Sequence, residues 1–460
     1  MAAAAHIRGQ ILSRFPAPNV GAQHAAPLLF TSAPLLFTAA LLSVAALTAC
    51  HSAGASAAGK DTDIEFWAFG REGEVLQTLM PEFEGEHPGV HVRVQQIPWT
   101  AAHEKLLTAY VGNATPDLAQ LGNTWIPEFV ALNALLPLDS LDSSSPDVSE
   151  SSFFPGIWRT NLVNSRLYGI PWYVDTRVLF YRKDLLAQAG YPQPPTTWAQ
   201  WRDAMRAVKA RGGSSRYAIF APFNEWNVPV ILGLQAGSPL LKDDGRYGAF
   251  GGPPFRRAFD FYLDWYQSDV APVLGINDVG NIYQEFERGT YAMWITGPWN
   301  IGEFRRRLPR EMQDKWGTAP LPGPEGSASG VSMAGGSSVV LFRRSRHHAV
   351  AWQLAEYLAR PEQQLRFYRL TGDLPARTEA WRDSALAGDP AAHAFWDQLQ
   401  RVVPLPQVPE WELIATRVFD YAEQAVRGGM STDTALARLD REVDQTLARR
   451  RWLLSRVPTP

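Results

Sequence analysis

From Ile64 onward, apolar and polar positions follow a regular order. The stretch "DIEFWAFG" (Asp63 to Gly70) is a short apolar run closing in a glycine turn, the pattern of a buried strand. Val75, Leu76, Leu79 and Phe83 then recur at helical spacing. In "EHPGVHVRVQQIPW", Val90, Val92 and Val94 alternate with polar residues, which predicts a half-buried strand. "TPDLAQLGNTW" predicts a further strand, followed by the helix-like run "IPEFVALNALL" that ends at "PLD". Strand, helix, strand, strand and helix in this order predict an α/β sheet with right-handed crossovers. Ligands of such sheets bind beyond the carboxyl ends of the strands. That rule selects the loops holding Arg71 and Glu72, then Pro98 and Trp99, then Gly122 to Trp125.

The residues ahead of this region follow another pattern. Arg8 and Arg14 precede an apolar run from Pro34 to Leu47, which closes as "LTAC" with Cys50. A charged segment, a short apolar core and small residues describe an export signal, and the run is too short and too interrupted by proline for a transmembrane helix. "LTAC" resembles the bacterial lipobox, in which the cysteine is lipidated and becomes the first mature residue. The expected organisation is a signal peptide over 1–49 and a lipid-anchored flexible tether over 50–62, whose "HSAGASAAGKDT" is small and polar. Cys50 is the only cysteine, so an intrachain disulfide and a zinc site with several thiolates are both excluded.

Composition narrows the function. The chain has 460 residues, beyond the roughly 250–300 that one hydrophobic core supports, so two lobes are expected. A net charge of −3 gives no electrostatic footprint for nucleic acid. Seventeen tryptophans and fourteen tyrosines exceed obvious packing needs and suit a flat ligand or a sugar. HExxH, a P-loop and a strand-borne GxGxxG are all absent, and no cofactor or metal is expected.

Five blocks carry a family resemblance: "FEGEHPGVHVRVQQIPW", "TPDLAQLGNTWIPEFVALNALLPLD", "YGIPWYVDTRVLFYRKDLLAQAGYPQPPTTWAQW", "FERGTYAMWITGPWNIG" and "ARPEQQLRFYRLTGDLPAR". In this order they resemble the extracellular solute-binding proteins of ABC importers, in the branch of maltose- and trehalose-type receptors. The resemblance implies the two-lobe periplasmic-binding-protein fold of type II, with α/β lobes, three crossing segments and a ligand in the cleft. The implied N-terminal lobe spans 63–173 and 294–338, and the C-terminal lobe 174–293 and 339–450. The crossings would fall near Pro171 to Thr176, within "YAMWITGPWN", and near Ala334 to Phe342. A monomeric receptor in the periplasm is implied, held to the envelope membrane by lipid on Cys50. It would bind a small sugar, foremost an α-glucoside disaccharide such as trehalose or maltose, and deliver it to permease subunits with a cytoplasmic ATPase.

A pyranose presents C–H faces that suit aromatic rings, and hydroxyls that need both donors and acceptors. The resemblance accordingly implies Asp175 as an acceptor of sugar hydroxyls, with Tyr173 beside it. Glu72 matches a loop that supplies an acidic contact, with Glu74 and Arg71 as alternatives. In "LGNTW" this chain has Gly122 and Asn123 where related receptors often carry an aspartate, and Trp125 is either a wall or core. Trp226, beside Glu225 and Asn227, is either a stacking platform or packing under its loop. Gly335 and Gly336 allow close backbone approach. Arg377 in "LPAR" matches an arginine that reaches the sugar. Of the two tryptophans in "GTYAMWITGPWNIGEF", Trp299 is the cleft candidate, while Trp294 has the strand-like flank of a core residue. Two other classes are a secreted glycoside hydrolase, which needs two carboxyl groups about 5–10 Å apart, and a purely structural envelope lipoprotein, which would leave the cleft aromatics unexplained.

Overall fold

Strand Thr62–Phe69 opens the described chain and runs directly into helix Gly70–Glu86, where Leu76, Leu79 and Phe83 are fully buried with Ile64 and Phe66. Each such side chain contributes roughly 1.5–3 kcal/mol when removed from water. The computed structural model describes residues 61–142, 145 and 148–456. The expected signal peptide and Cys50 lie outside the described residues, and the strand already begins at Thr62, where the tether was expected to end.

Strand Val90–Ile97 pairs in parallel with Thr62–Phe69 along its whole length, and Leu118–Gly122 pairs in parallel on the other side. Between them lies helix Trp99–Val111, which the hydrophobic pattern did not announce. Its buried face is Ala102, Leu106 and Ala109, and two alanines leave little periodic signal. The expected helix after Trp125 is shorter than "IPEFVALNALL" suggests. It spans Ile126–Ala131, because Asn133 turns to a left-handed φ of 58°.

Ser332–Leu341 continues this sheet, antiparallel both to Leu118–Gly122 and to Ile170–Asp175. Leu374–Pro375 completes that edge, and Val402–Pro404 pairs with the start of Ser332–Leu341. A second sheet has the order Trp316–Ala319, Val178–Arg182, Tyr291–Thr296, Tyr217–Phe220. Two α/β lobes result, with boundaries that differ from the expected ones. Strands Tyr291–Thr296 and Trp316–Ala319 belong to the second sheet. Helices His348–Ala359 and Pro361–Thr371 pack on the first, as does Leu374–Pro375. The chain therefore returns to the first lobe near Ser332 and stays there well past residue 339. The surplus of aromatic residues also has a structural share: Trp201, Trp265 and Trp411 are fully buried in the second lobe.

The pairing of Ser332–Leu341 with Ile170–Asp175 is unusually close at two glycines. A Cβ on Gly335 would stand 2.6 Å from the Asp175 carbonyl oxygen, and one on Gly336 only 2.2 Å from that of Tyr173. Gly336 also has φ +139°, outside the range of ordinary side chains. Gly336→Ala should therefore lower unfolding free energy by about 2 kcal/mol or more, measured by denaturant titration. A loss under about 0.5 kcal/mol would mean that the strands separate easily there.

Candidate functional site

The carboxyl ends of the first lobe's parallel strands deliver the first wall of a cavity. Thr62–Phe69 leads to Glu72, Val90–Ile97 to Trp99, and Leu118–Gly122 to Asn123, Thr124 and Trp125. Ile170–Asp175 brings Tyr173 and Asp175, with Arg177 just beyond its end, while Ser332–Leu341 brings Met333, Gly335, Gly336 and Ser337. Asp373 closes this side. The second lobe obeys the same geometric rule: Trp226 and Asn227 follow Tyr217–Phe220, and Trp299 follows Tyr291–Thr296. The cleft volume is about 520 Å³, within the usual range for small-molecule sites.

The Tyr173 hydroxyl is the centre of the polar wall. It donates to Glu72 Oε1 at 3.0 Å and accepts from Gln120 Nε2 at 2.8 Å and Ser337 Oγ at 3.0 Å. Gln120 is itself fixed, because its Oε1 accepts the Phe69 backbone N–H at 2.7 Å. Burial raises the Tyr173 pKa well above that of a free phenol, and the nearby Glu72 carboxylate adds to the effect. The group thus stays a neutral donor. Glu72 also receives the Trp99 indole N–H at 3.3 Å. Burial pushes its carboxyl above the usual range, against the hydrogen bonds from its own backbone, Tyr173 and Trp99.

Asp175 is paired with the Arg177 guanidinium. Burial still raises its pKa, with Arg177 opposing. The same guanidinium lies 4.7 Å from the ring centroid of Trp299. Trp299 remains 37% exposed, and its indole folds back over Gly297, where a Cβ would come within 2.0 Å of the ring. The Thr-Gly-Pro turn is therefore the room that this indole needs. Trp294 lies in the core, with Phe220 6.1 Å from it. Trp99 and Trp125 meet edge to face at 5.9 Å, and Trp226 stands edge-on to Trp411 at 5.8 Å.

Other candidates have structural duties. Asn123 lines the cavity, but its amide donates to Thr160 Oγ1 at 2.5 Å and accepts from Ser338 Oγ at 3.1 Å. Gly335 and Gly336 line it too, yet their missing Cβ atoms are required first by the neighbouring strand. Arg377 is not among the lining residues. Its backbone N–H donates to Gln364 Oε1 at 2.9 Å, and its buried guanidinium lies 5.5 Å from the Phe153 ring centroid. Gln364 in turn donates to the Pro171 carbonyl, so Arg377 braces the crossing strand from behind.

Sequence reasoning missed Arg177 and Asp373. The first had a signal, since Tyr173, Asp175 and Arg177 alternate and side chains two apart in extended chain share a face. The second follows Gly372, whose left-handed φ of 90° ends helix Pro361–Thr371, and attention to "LPAR" passed over it. Among the described residues no cluster of His, Cys, Asp and Glu could hold a metal, and no helix is long and apolar enough to cross a membrane.

Residues 69–365 match the family model described as bacterial extracellular solute-binding protein. The chain is 49% identical to the sugar-binding protein MalE of Xanthomonas citri, whose structure superposes with a TM-score of 0.83 over 86% of this chain and 100% of that one. It is 25% identical over 402 residues to the galactooligosaccharide-binding protein of Bacillus subtilis, covering 84% of this chain and 90% of the relative. Over 289 residues it is 24% identical to the maltooligosaccharide ABC transporter solute-binding lipoprotein of Streptococcus pneumoniae, covering 59% and 64% respectively. With the two lobes and the cavity between their strand ends, these likenesses show that the chain belongs to the bacterial extracellular solute-binding proteins, as the sugar-binding receptor of an ABC importer.

Proposed function

We propose that the cavity takes a small α-linked glucose disaccharide, trehalose or maltose, and that the receptor hands it to the permease of an ABC importer. One observation carries this reading: the cavity combines the rings of Trp99, Trp125, Trp226 and Trp299 with the carboxyl groups of Glu72, Asp175 and Asp373. Rings cover the C–H faces of pyranoses, and carboxyl groups form hydrogen bonds with their oxygens. The volume suits a ligand of a few rings rather than a polymer. The names of relatives that specify maltooligosaccharides and galactooligosaccharides support the sugar class. Periplasmic placement as a monomer, with lipid on Cys50 in the envelope membrane, is part of the same reading. Hydrolysis is the less favoured alternative, because the relatives named above are binding proteins.

Calorimetry of the chain lacking residues 1–50 against trehalose, maltose, sucrose, longer glucans and monosaccharides tests the proposal, with the sugar recovered afterwards. One disaccharide bound and returned intact supports it; heat that continues while product accumulates would establish a hydrolase instead. Within the site, Asp175→Ala should weaken binding by about 1–3 kcal/mol, because sugar hydroxyls and Arg177 are left unmatched. Trp299→Ala should cost about 1 kcal/mol or more through the lost ring face. Arg377→Ala is expected to act differently, lowering unfolding free energy by about 1–3 kcal/mol with a smaller effect on the affinity of the folded fraction. Equal affinity losses for Arg377→Ala and Asp175→Ala in fully folded protein would return Arg377 to the sugar.

A further inference from the structure

Three carboxyl groups line the cavity, and the structure treats them unequally. Asp175 has the Arg177 guanidinium, and Glu72 accepts from the Tyr173 hydroxyl and the Trp99 indole. Asp373 is only 6% exposed, held in the wall by the tight turn after Gly372 and the pairing of Leu374–Pro375 with Tyr173 and Val174. Its backbone N–H donates to Thr371 Oγ1 at 3.0 Å, and among the described residues it makes no ion pair. The facing groups are Glu72 and Arg71 on helix Gly70–Glu86, and Tyr173 and Asp175 on the crossing strand. Of the cations, Arg177 is held by Asp175, while Arg71 is exposed and donates to the Leu370 carbonyl. A buried carboxyl beside two others, with no cation of its own, is a poor site for a further negative charge.

We propose that Asp373 acts in the cleft as a neutral carboxylic acid, whose O–H donates a hydrogen bond to a ligand oxygen that can only accept, such as a sugar's ring or bridging oxygen. The proposal rests on the sugar-binding reading above and adds a chemical role to it. Glu72 accepts from Tyr173 and Trp99, and Asp175 is paired with Arg177, so both are set as acceptors that match sugar hydroxyls; ring and bridging oxygens carry no hydrogen and need a donor. A protonated Asp373 supplies that donor without placing another charge in the wall. Burial first, then the charge of Glu72, pushes its pKa up to about 8, with Asp175 adding and Thr371 and Arg71 opposing.

In the unfolded chain this carboxyl ionises near 3.8, and in the folded protein near 8. Between these values the folded state holds a proton that the unfolded state lacks, so stability falls as pH rises through this window. Sugar affinity should stay level below about pH 8 and fall above it, approaching tenfold per pH unit.

The test is calorimetric titration of the purified receptor with trehalose and with maltose from pH 6 to 9.5, together with thermal unfolding without sugar from pH 5 to 9. Wild type is compared with Asp373→Asn and Asp373→Ala. Asn keeps an N–H donor but has no titrating proton. The expected result is wild-type affinity that falls above pH 8, an Asn variant that binds better than the Ala variant and lacks this fall, and unfolding temperatures whose decline between pH 5 and 8 is shallower in both variants than in wild type. Wild-type affinity level to pH 9.5, or an Asn variant as weak as Ala, overturns the proposal. If neither sugar binds, the sugar reading fails by itself. The unfolding profile then decides the proton separately: a decline steeper in wild type than in both variants upholds the neutral acid, and an unchanged decline overturns it.

Discussion

The hydroxyl of Tyr173 is the point on which the binding face of the first lobe converges. It joins the helix that carries Glu72, the strand that carries Gln120 and the crossing strand that carries Ser337. Each partner comes from a different part of the chain, and without them the phenol would be an unmatched polar group in a buried wall. Leaving such a group without a partner costs about 1–3 kcal/mol, so the hub and the cavity geometry are one requirement. The close pairing at Gly335 and Gly336 makes the hub possible by setting Ser332–Leu341 directly against the backbone of Tyr173 and Asp175.

Desolvation shapes the rest of the wall. Glu72, Asp175 and Asp373 are all raised by burial before any other influence acts. An empty cleft therefore contains polar groups held away from bulk water and only partly matched. A ligand rich in hydroxyls would complete their hydrogen bonds, whereas a purely apolar one would leave them unmatched. The aromatic residues act in the complementary sense. Trp99 and Trp125 brace each other, and Trp299 is steadied from one side by Arg177, so the rings are held in place before a ligand arrives.

Much of the fold was legible because strong periodicity marks it. Val90, Val92 and Val94 announced a strand, Leu76, Leu79 and Phe83 a helix, and the rule of carboxyl strand ends led to the loops of Glu72, Trp99 and Trp125. Helix Trp99–Val111 escaped because alanines bury without advertising it. The lobe boundaries escaped because they depend on which sheet a strand joins, and strand pairing between distant segments leaves no local trace. Tyr173 and Asp175 line the cavity that their block pointed to, whereas Arg377 lies outside its lining. A buried arginine tied to backbone and an arginine reaching a ligand look the same in one dimension. Asp373 was missed because its meaning comes from Glu72, about three hundred residues earlier in the chain.

The cavity is assembled from single residues and short runs scattered between Glu72 and Asp373, each delivered by the end of a different element. No contiguous stretch of the chain contains it. Preference for a ligand can therefore drift one wall position at a time while the scaffold is kept, since Trp226, Asn227 and Trp299 arrive independently of the first lobe's hub. Such divided construction separates the scaffold from the lining, so that one can stay fixed while the other changes in parts.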